Sequence, residues 1–181
     1  TSKPSSYSET TITELMIPSY ANFSGKIHGG ILLSLMDKVA FACASKHSGE
    51  YCVTVSVEGV EFFEPVEVGE LVSLTGSVIY VGKSSMIVGI YIESLKPKTG
   101  EKKHTNSCYF TMVAKNEKGE KTTVPSLGVE NINQLKRFVE GKEIKKFSRK
   151  KRKLLDMGIE AYNKEDLIKA CLNERCEVSK F

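Results

Sequence analysis

The stretch Asn22 to Ser48, NFSGKIHGGILLSLMDKVAFACASKHS, constrains the fold more than any other part of the chain. It begins with loop residues, passes through a Gly-Gly pair and becomes a long run of helix-forming composition. From Ile31 to Ala44 the run is apolar almost all the way round; Ser34, Asp37, Lys38 and then Ser45 interrupt it, and Ser34, Lys38 and Ser45 share one narrow face. A surface helix shows a broad polar side, so this one is expected to be surrounded. It is too short and too interrupted by charge to span a membrane. The expectation is a central helix wrapped by sheet.

Asp37 is the odd residue in that helix. At 100° per residue it lies close to the face of Gly30, about two turns, ~10 Å, further along the axis. A carboxylate on a buried helix costs several kcal/mol unless it is paired, solvated in a pocket, or used. A bond to a neighbouring lysine or backbone amide is its bland role. The helix start argues for the other one. Gly29 and Gly30 have no side chains, so a ligand can approach the first free N–H groups, where the helix dipole favours negative charge. A helix N-terminus facing a developing oxyanion, with a carboxylate nearby, suits acyl transfer or hydrolysis.

The rest of the chain reads as strands around this helix. Residues 9–18 have strand-like β-branched content, and Pro18 and Ser19 turn the chain into the Asn22 loop. After the helix, Tyr51 to Phe63 reads as one long strand in which Val53, Val55 and Val57 alternate with Thr54, Ser56 and Glu58, the pattern of a half-buried strand. Gly59 within it predicts a bulge or a close backbone approach. Further strands are expected at Glu70–Tyr80, Ser85–Leu95 and His104–Lys115, joined by a tight Gly82-Lys83-Ser84 connection and a PKTGEKK tip. One strand, one apolar helix and four antiparallel strands is not the alternation of a doubly wound α/β protein.

With 181 residues and 20.1 kDa there is enough chain for one domain and an appendage. The N-terminus lacks the apolar core of a signal peptide, which makes a cytoplasmic protein without a membrane span the expectation. The five cysteines are scattered with no C-x-x-C pair, and the three histidines are not grouped at metal-ligand spacing, so no metal site is expected. Cys43 and Cys52 sit among apolar residues as small core side chains. Beyond about residue 130 the composition shifts to Lys, Glu, Leu and Ile, with Gly141 expected to break helical segments. Residues 142–153, KEIKKFSRKKRK, carry eight basic residues and one acidic, a net of +7. Because the whole chain is +4, the remainder sums to −3 and the basicity is local. A solvated helix face or partly disordered tail, a contact with the phosphates of a ligand, and a nucleic-acid or membrane patch all fit that run.

Asn22, Gly25, Ile27, His28, Gly29 and Gly30, followed by Leu35, Met36 and Asp37, form the pattern N-x-x-G-x-[IV]-H-G-G with L-M-D. This resembles the acyl-CoA thioesterase branch of the hotdog-fold superfamily, which includes bacterial single-domain and animal cytosolic acyl-CoA hydrolases. The resemblance continues through Val53–Glu70 and Gly82–Met86 to Val124–Leu127, covering roughly residues 8–127. It implies an α+β hotdog, an antiparallel sheet of five to six strands wrapped around a long central helix. The domain would be residues 8–127, and 128–181 a basic helical extension.

The implied activity is hydrolysis of acyl-CoA to a fatty or other carboxylic acid and coenzyme A, in fatty acid metabolism. Asp37 would be base or nucleophile, the Gly29 and Gly30 amides an oxyanion hole, and Asn22 a holder of the water or carbonyl. Lys83, Ser84 and Ser85 match the family's turn that approaches coenzyme A. His28 matches its H-G-G, with a structural role beside the helix start. No cofactor is implied, since coenzyme A belongs to the substrate, and no nucleic acid is expected. The resemblance implies a homodimer, assembled as a trimer of dimers into a homohexamer. In the family the Asn loop and the Asp helix at one site come from different domains or subunits. A non-catalytic acyl-CoA-binding regulatory hotdog is the alternative, and a dehydratase or hydratase on the same fold fits the His28 motif poorly.

Overall fold

The computed structural model describes residues 1–179. In chain order the elements are β1 (Ser2–Pro4), α1 (Ser5–Ser8), β2 (Thr10–Leu15), α2 (Gly29–Ser48), β3 (Tyr51–Glu58), β4 (Leu71–Val81), β5 (Ser85–Leu95), β6 (Lys102–Lys115), β7 (Ser126–Gly128), α3 (Ile132–Lys153) and α4 (Lys164–Cys171). The chain parts into two units at Lys145 and Lys146. No helix among the described residues is long and apolar enough to cross a membrane.

Local chemistry fixes both ends of α2. At its start the His28 ring caps the helix by accepting the Gly30 N–H. At its end Gly49 takes the left-handed conformation, φ 75°, and returns its N–H to the Ser45 carbonyl. Lys46 and His47 lie in the last turn, where the dipole favours positive charge. Leu32, Leu35, Met36, Val39, Ala40, Cys43, Ala44 and His47 are buried, a spacing of three and four that defines one helical face. That face packs on a five-stranded antiparallel sheet of order β2-β4-β5-β6-β3. Val72, Leu74, Val78, Val88, Ile90, Ile92, Cys108, Phe110 and Met112 complete the core. Gly76 of β4 lets helix and sheet approach closely: a Cβ there would sit 2.7 Å from Val39 Cγ1. A sheet curled around one long helix is the hotdog arrangement, with five strands in the main sheet. β1 and β7 form a separate parallel pair.

Four expectations are corrected. The central helix is not surrounded within one chain. Its outward face is exposed, with Leu33 and Phe41 as well as Ser34, Asp37 and Lys38 open to solvent. The strand after it stops at Glu58 rather than Phe63, because Gly59 adopts φ 66° and turns the chain out of the ladder. The bulge lies not at Gly59 but between Thr54 and Ser56, with Val55 as the extra residue. Cys52 and Thr54 lie on the side of β3 that meets α2, and the extra residue brings Val57, paired with Phe110, round to that side, although Val55 and Val57 both remain exposed.

The fourth correction concerns Gly141, which does not break a helix. It is buried inside α3, where a Cβ would lie 2.6 Å from Tyr80 Cβ. Up to Lys145, α3 covers the face of the sheet opposite α2. Ile79 and Ile87 are buried there outside the core around α2. Phe138 packs on Tyr80 with ring centroids 5.1 Å apart, and Tyr109 donates a hydrogen bond to Glu140. Lys145 Nζ donates to Ser85 Oγ at 3.1 Å and lies over the Tyr80 ring.

Candidate active site

Asp37 lies two helical turns beyond the start of α2, on the exposed side of the helix at the border with β3. Its carboxylate accepts a hydrogen bond of 2.6 Å from Thr54 Oγ1. The same hydroxyl is 3.4 Å from Met112 Sδ, a far weaker acceptor, so its single proton belongs to the carboxylate. Asp37, Lys38, Phe41, Tyr51, Cys52, Val53 and Thr54 line an open recess of about 460 Å3. A carboxylate fixed by one hydroxyl, with its other lone pairs open to a recess, is placed to bind a water or meet an electrophile.

Thr54 is the residue that sequence reasoning missed. The valine alternation marked the wrong face of β3 as the buried one, and a single threonine on a strand carries no signal of its own. A bulge beside it would have been the clue, since bulges re-aim side chains next to sites.

At the helix start, His28 is anchored by donating its own N–H to the Tyr20 carbonyl. Its carbonyl accepts the Ile31 N–H at 2.9 Å and its Nδ1 accepts the Gly30 N–H at 2.9 Å. Nδ1 therefore carries no proton, which puts the ring in the Nε2–H tautomer. Of the two amides expected to face an oxyanion, the Gly30 N–H is taken up by the His28 cap. The Gly29 N–H has no acceptor among the described residues. Gly30 leaves room for the cap, since a Cβ there would come within 2.9 Å of His28 Nδ1, whereas one on Gly29 would make an ordinary contact with the Phe62 ring at 3.4 Å.

Asn22 builds its own loop. Its Oδ1 accepts from Ser24 N, Ser24 Oγ and Lys26 N at 2.9, 2.7 and 3.1 Å, which leaves the Nδ2 group to donate outward. Asn22 is exposed and does not line the Asp37 recess. The two residues that the sequence joined in one mechanism are therefore not brought to one recess by a single chain.

The Lys83, Ser84 and Ser85 turn stands apart from that recess too. Its backbone is pinned on three sides: Lys83 O accepts from Val124 N, Ser84 O from Ala114 N, and Ser85 O from Gly82 N. The Lys83 side chain is exposed, and Ser85 Oγ is engaged by Lys145.

The buried thiols are chemically quiet. Burial pushes Cys43 up to about 11 and Cys108 up to about 12, and it raises Cys52 as well, so all three are protonated at neutral pH.

Sequence and structure comparisons agree on the class. The thioesterase superfamily profile matches residues 24–101. Protein VdlD of Helicobacter pylori is 44% identical over 124 residues, which is 68% of this chain and 71% of that protein. The crystal structure of an apo-hexameric acyl-CoA thioesterase superimposes with a TM-score of 0.78 at 34% identity, over 83% of this chain and 96% of that one. An acyl-CoA hydrolase from Staphylococcus aureus, solved with butyryl coenzyme A, coenzyme A and coenzyme A disulfide, gives 0.81 at 25% identity, over 88% and 98%. That hydrolase has also been solved as alanine variants of an asparagine, an aspartate fifteen residues further on, and a threonine seventeen beyond that. The chain belongs to the acyl-CoA thioester hydrolases of the thioesterase superfamily.

Proposed function

We infer that the chain is an acyl-CoA thioesterase, with Asp37 as its catalytic carboxylate. The observation that carries the assignment of Asp37 is its hydrogen bond to Thr54 at the mouth of an open recess, on the helix whose start is the Gly-Gly pair. The spacing of Asn22, Asp37 and Thr54, fifteen and then seventeen residues, is that of the three residues changed to alanine in the S. aureus hydrolase.

The reaction consumes water and an acyl-CoA and yields a carboxylate, free coenzyme A and a proton. A thioester carbonyl is already electrophilic, so a carboxylate and a hydrogen-bonded oxyanion suffice without a Ser-His-Asp triad. Two routes fit the same group. Asp37 removes a proton from the attacking water, or attacks the carbonyl itself to form an anhydride that water then opens. Single turnover in heavy-oxygen water marks the second route where water opens the anhydride at the aspartyl carbonyl, because Asp37 then keeps the label and the acid leaves with an oxygen from Asp37. In either route a Gly29 N–H, at the positive end of α2, is the backbone donor for the developing oxyanion; it stands eight residues, ~12 Å, from Asp37 of its own chain, so it reaches that carbonyl from the other copy, together with Asn22. The exposed Lys83 ammonium on its pinned turn is suited to a phosphate of coenzyme A, with Ser84 beside it.

The active unit is an oligomer. β3 ends the sheet with one edge unpaired, and the apolar side chains of Leu33, Phe41, Tyr51 and Val55 lie exposed around it. Sheet edges and apolar faces of this kind are covered in stable proteins. A homodimer about a two-fold axis covers both, and supplies the Asn22 loop of one copy to the Asp37 recess of the other. The Asn22 Nδ2 donor then meets the water or carbonyl that Asp37 acts on. The named hexameric thioesterase fits a trimer of such dimers.

The test is subunit mixing, read as free thiol released from acyl-CoA. Asn22→Ala and Asp37→Asn proteins are each inactive alone. A mixed dimer contains one intact site, which returns about half of the wild-type dimer's activity. If mass spectrometry confirms exchange and no activity returns, the site is not shared between copies.

A further inference from the structure

Residues 146–162 combine two features that the hydrolase site does not use. The first is apolar exposure. Phe147, Leu154, Leu155, Met157 and Ile159 all stand open to solvent, between 46% and 65% accessible. The second is charge. Lys146, Arg149, Lys150, Lys151, Arg152 and Lys153 are all exposed, and with Asp156 and Glu160 the segment nets +4. Helix α3 carries the segment to Lys153, and a π turn, Leu154–Gly158, continues it.

With 100° per residue through Lys153 and about 82° through the π turn, Leu154 and Leu155 fall within roughly 60° of Phe147, and Met157 follows on the same turn. Arg149, Arg152, Lys153 and Asp156 fall on the opposite side. Lys150 and Lys151 flank the apolar line, the position from which long basic side chains meet headgroups at the border of an apolar face.

We propose that residues 146–162 form a peripheral docking element for an anionic lipid surface. A segment with bulky apolar groups on one side, flanked and backed by lysine and arginine, matches the two parts of such an interface: the acyl boundary and the negatively charged headgroups. Nucleic acid would account for the charges alone. It offers phosphates to the basic residues and nothing that removes Phe147, Leu154, Leu155 and Met157 from water. The element lies flat on the surface and does not enter the bilayer core.

Co-sedimentation of the full chain with extruded vesicles tests this. Vesicles of phosphatidylcholine containing phosphatidylglycerol should pellet the wild-type protein, and pure phosphatidylcholine vesicles should not. Charge reversal of Lys150, Lys151 and Arg152 to glutamate should weaken binding by at least about tenfold. Phe147→Ser combined with Leu154→Ser and Met157→Ser should weaken it by a similar factor even at low salt, where a purely electrostatic contact survives. Far-UV circular dichroism and mass in solution check folding and assembly. If the triple serine variant unfolds, Phe147→Glu alone replaces it. Failure to bind anionic vesicles overturns the proposal, as does equal binding by the apolar variants. So does tighter binding to single-stranded RNA than to the vesicles. A lower oligomer mass in the serine variants would also overturn it, since a second copy would then be what covers the face.

Discussion

Helices α2 and α3 are of similar length, 20 and 22 residues, and α2 and the part of α3 up to Lys145 lie on opposite faces of the same sheet, yet they are held by different physics. α2 buries eight residues at three- and four-residue spacing, seven of them apolar or thiol side chains, and the apolar area removed from water holds it in place. α3 buries a single residue, Gly141, and is held by a ring contact, the Tyr109–Glu140 hydrogen bond and the Lys145–Ser85 contact. An apolar face fixes a helix to fractions of an ångström, which a catalytic carboxylate needs. Polar contacts at a partly wet surface fix it less, and each contributes little net free energy. The difference suits α2 to carry the proposed catalytic carboxylate, and it sets which changes should break which helix.

The largest effect is expected at Asp37. Asp37→Asn keeps the size and loses the charge, so hydrolysis should fall by about two orders of magnitude or more. Because Asp37 is exposed and its one partner is a hydroxyl, the melting temperature should hardly change. Thiol release and a thermal melt on the same sample check both halves. Undiminished turnover in a folded variant would remove α2 from the chemistry.

That separation between fold and site was only half visible in the sequence. The start, length and buried stripe of α2 follow from the Gly-Gly pair and the apolar run, because burial and helix periodicity act locally. Its outward face is as apolar as its inward one at Leu33 and Phe41, so the pattern signalled a surrounded helix. A single chain leaves that face open because the sheet covers only one side. Thr54 was hidden for a different reason. One extra residue at Val55 alters the inside-outside alternation of β3, and nothing in the valine pattern records it. Gly141 looked like a helix breaker because glycine has low helix propensity, whereas its missing Cβ is what lets α3 approach Tyr80.

The second effect sharpens the contrast between the two helices. Gly76→Val inserts a side chain where a Cβ already lies 2.7 Å from Val39 and 3.2 Å from Cys43 Sγ. Overpacking of this kind costs about 1–3 kcal/mol, and it falls on the contact that positions α2. A lower urea midpoint with an unchanged denaturant slope is the expected result. A midpoint equal to wild type would show that α2 can back away from β4 without loss.

Gly141→Ala should do less to the whole and more to one part. Alanine adds helix propensity of up to about 1 kcal/mol, but its Cβ falls 2.6 Å from Tyr80 Cβ, an atom that cannot move without its strand. The two terms oppose each other, so global stability should shift by less than about 1 kcal/mol. Helical ellipticity stays, while amide protection near Ile79 and Tyr80 falls as α3 lifts. Unchanged protection there would mean that the close approach is not what holds α3.

The smallest effect is a dependence on pH that only α2 should show. His47 is fully buried in its last turn, with Nε2 donating to the Pro125 carbonyl at 3.0 Å and Nδ1 without a partner among the described residues. Burial holds its pKa below the ordinary histidine value of 6.5, with nearby Lys3 acting the same way and the Pro125 bond opposing them. The helix dipole would favour the charged ring at this end, but desolvation wins. Between its folded value and 6.5 the unfolded chain binds a proton that the folded one refuses. Stability is therefore complete above about pH 6.5 and declines as the pH falls below it, by no more than about 1.4 kcal/mol per unit. His47→Gln should flatten the urea midpoint against pH over that window. α3 has no buried titratable side chain, so protection near Tyr80 should not follow the same curve. If the glutamine variant keeps the wild-type slope, the proton is taken up elsewhere and the ionisation state of His47 has no part in seating α2.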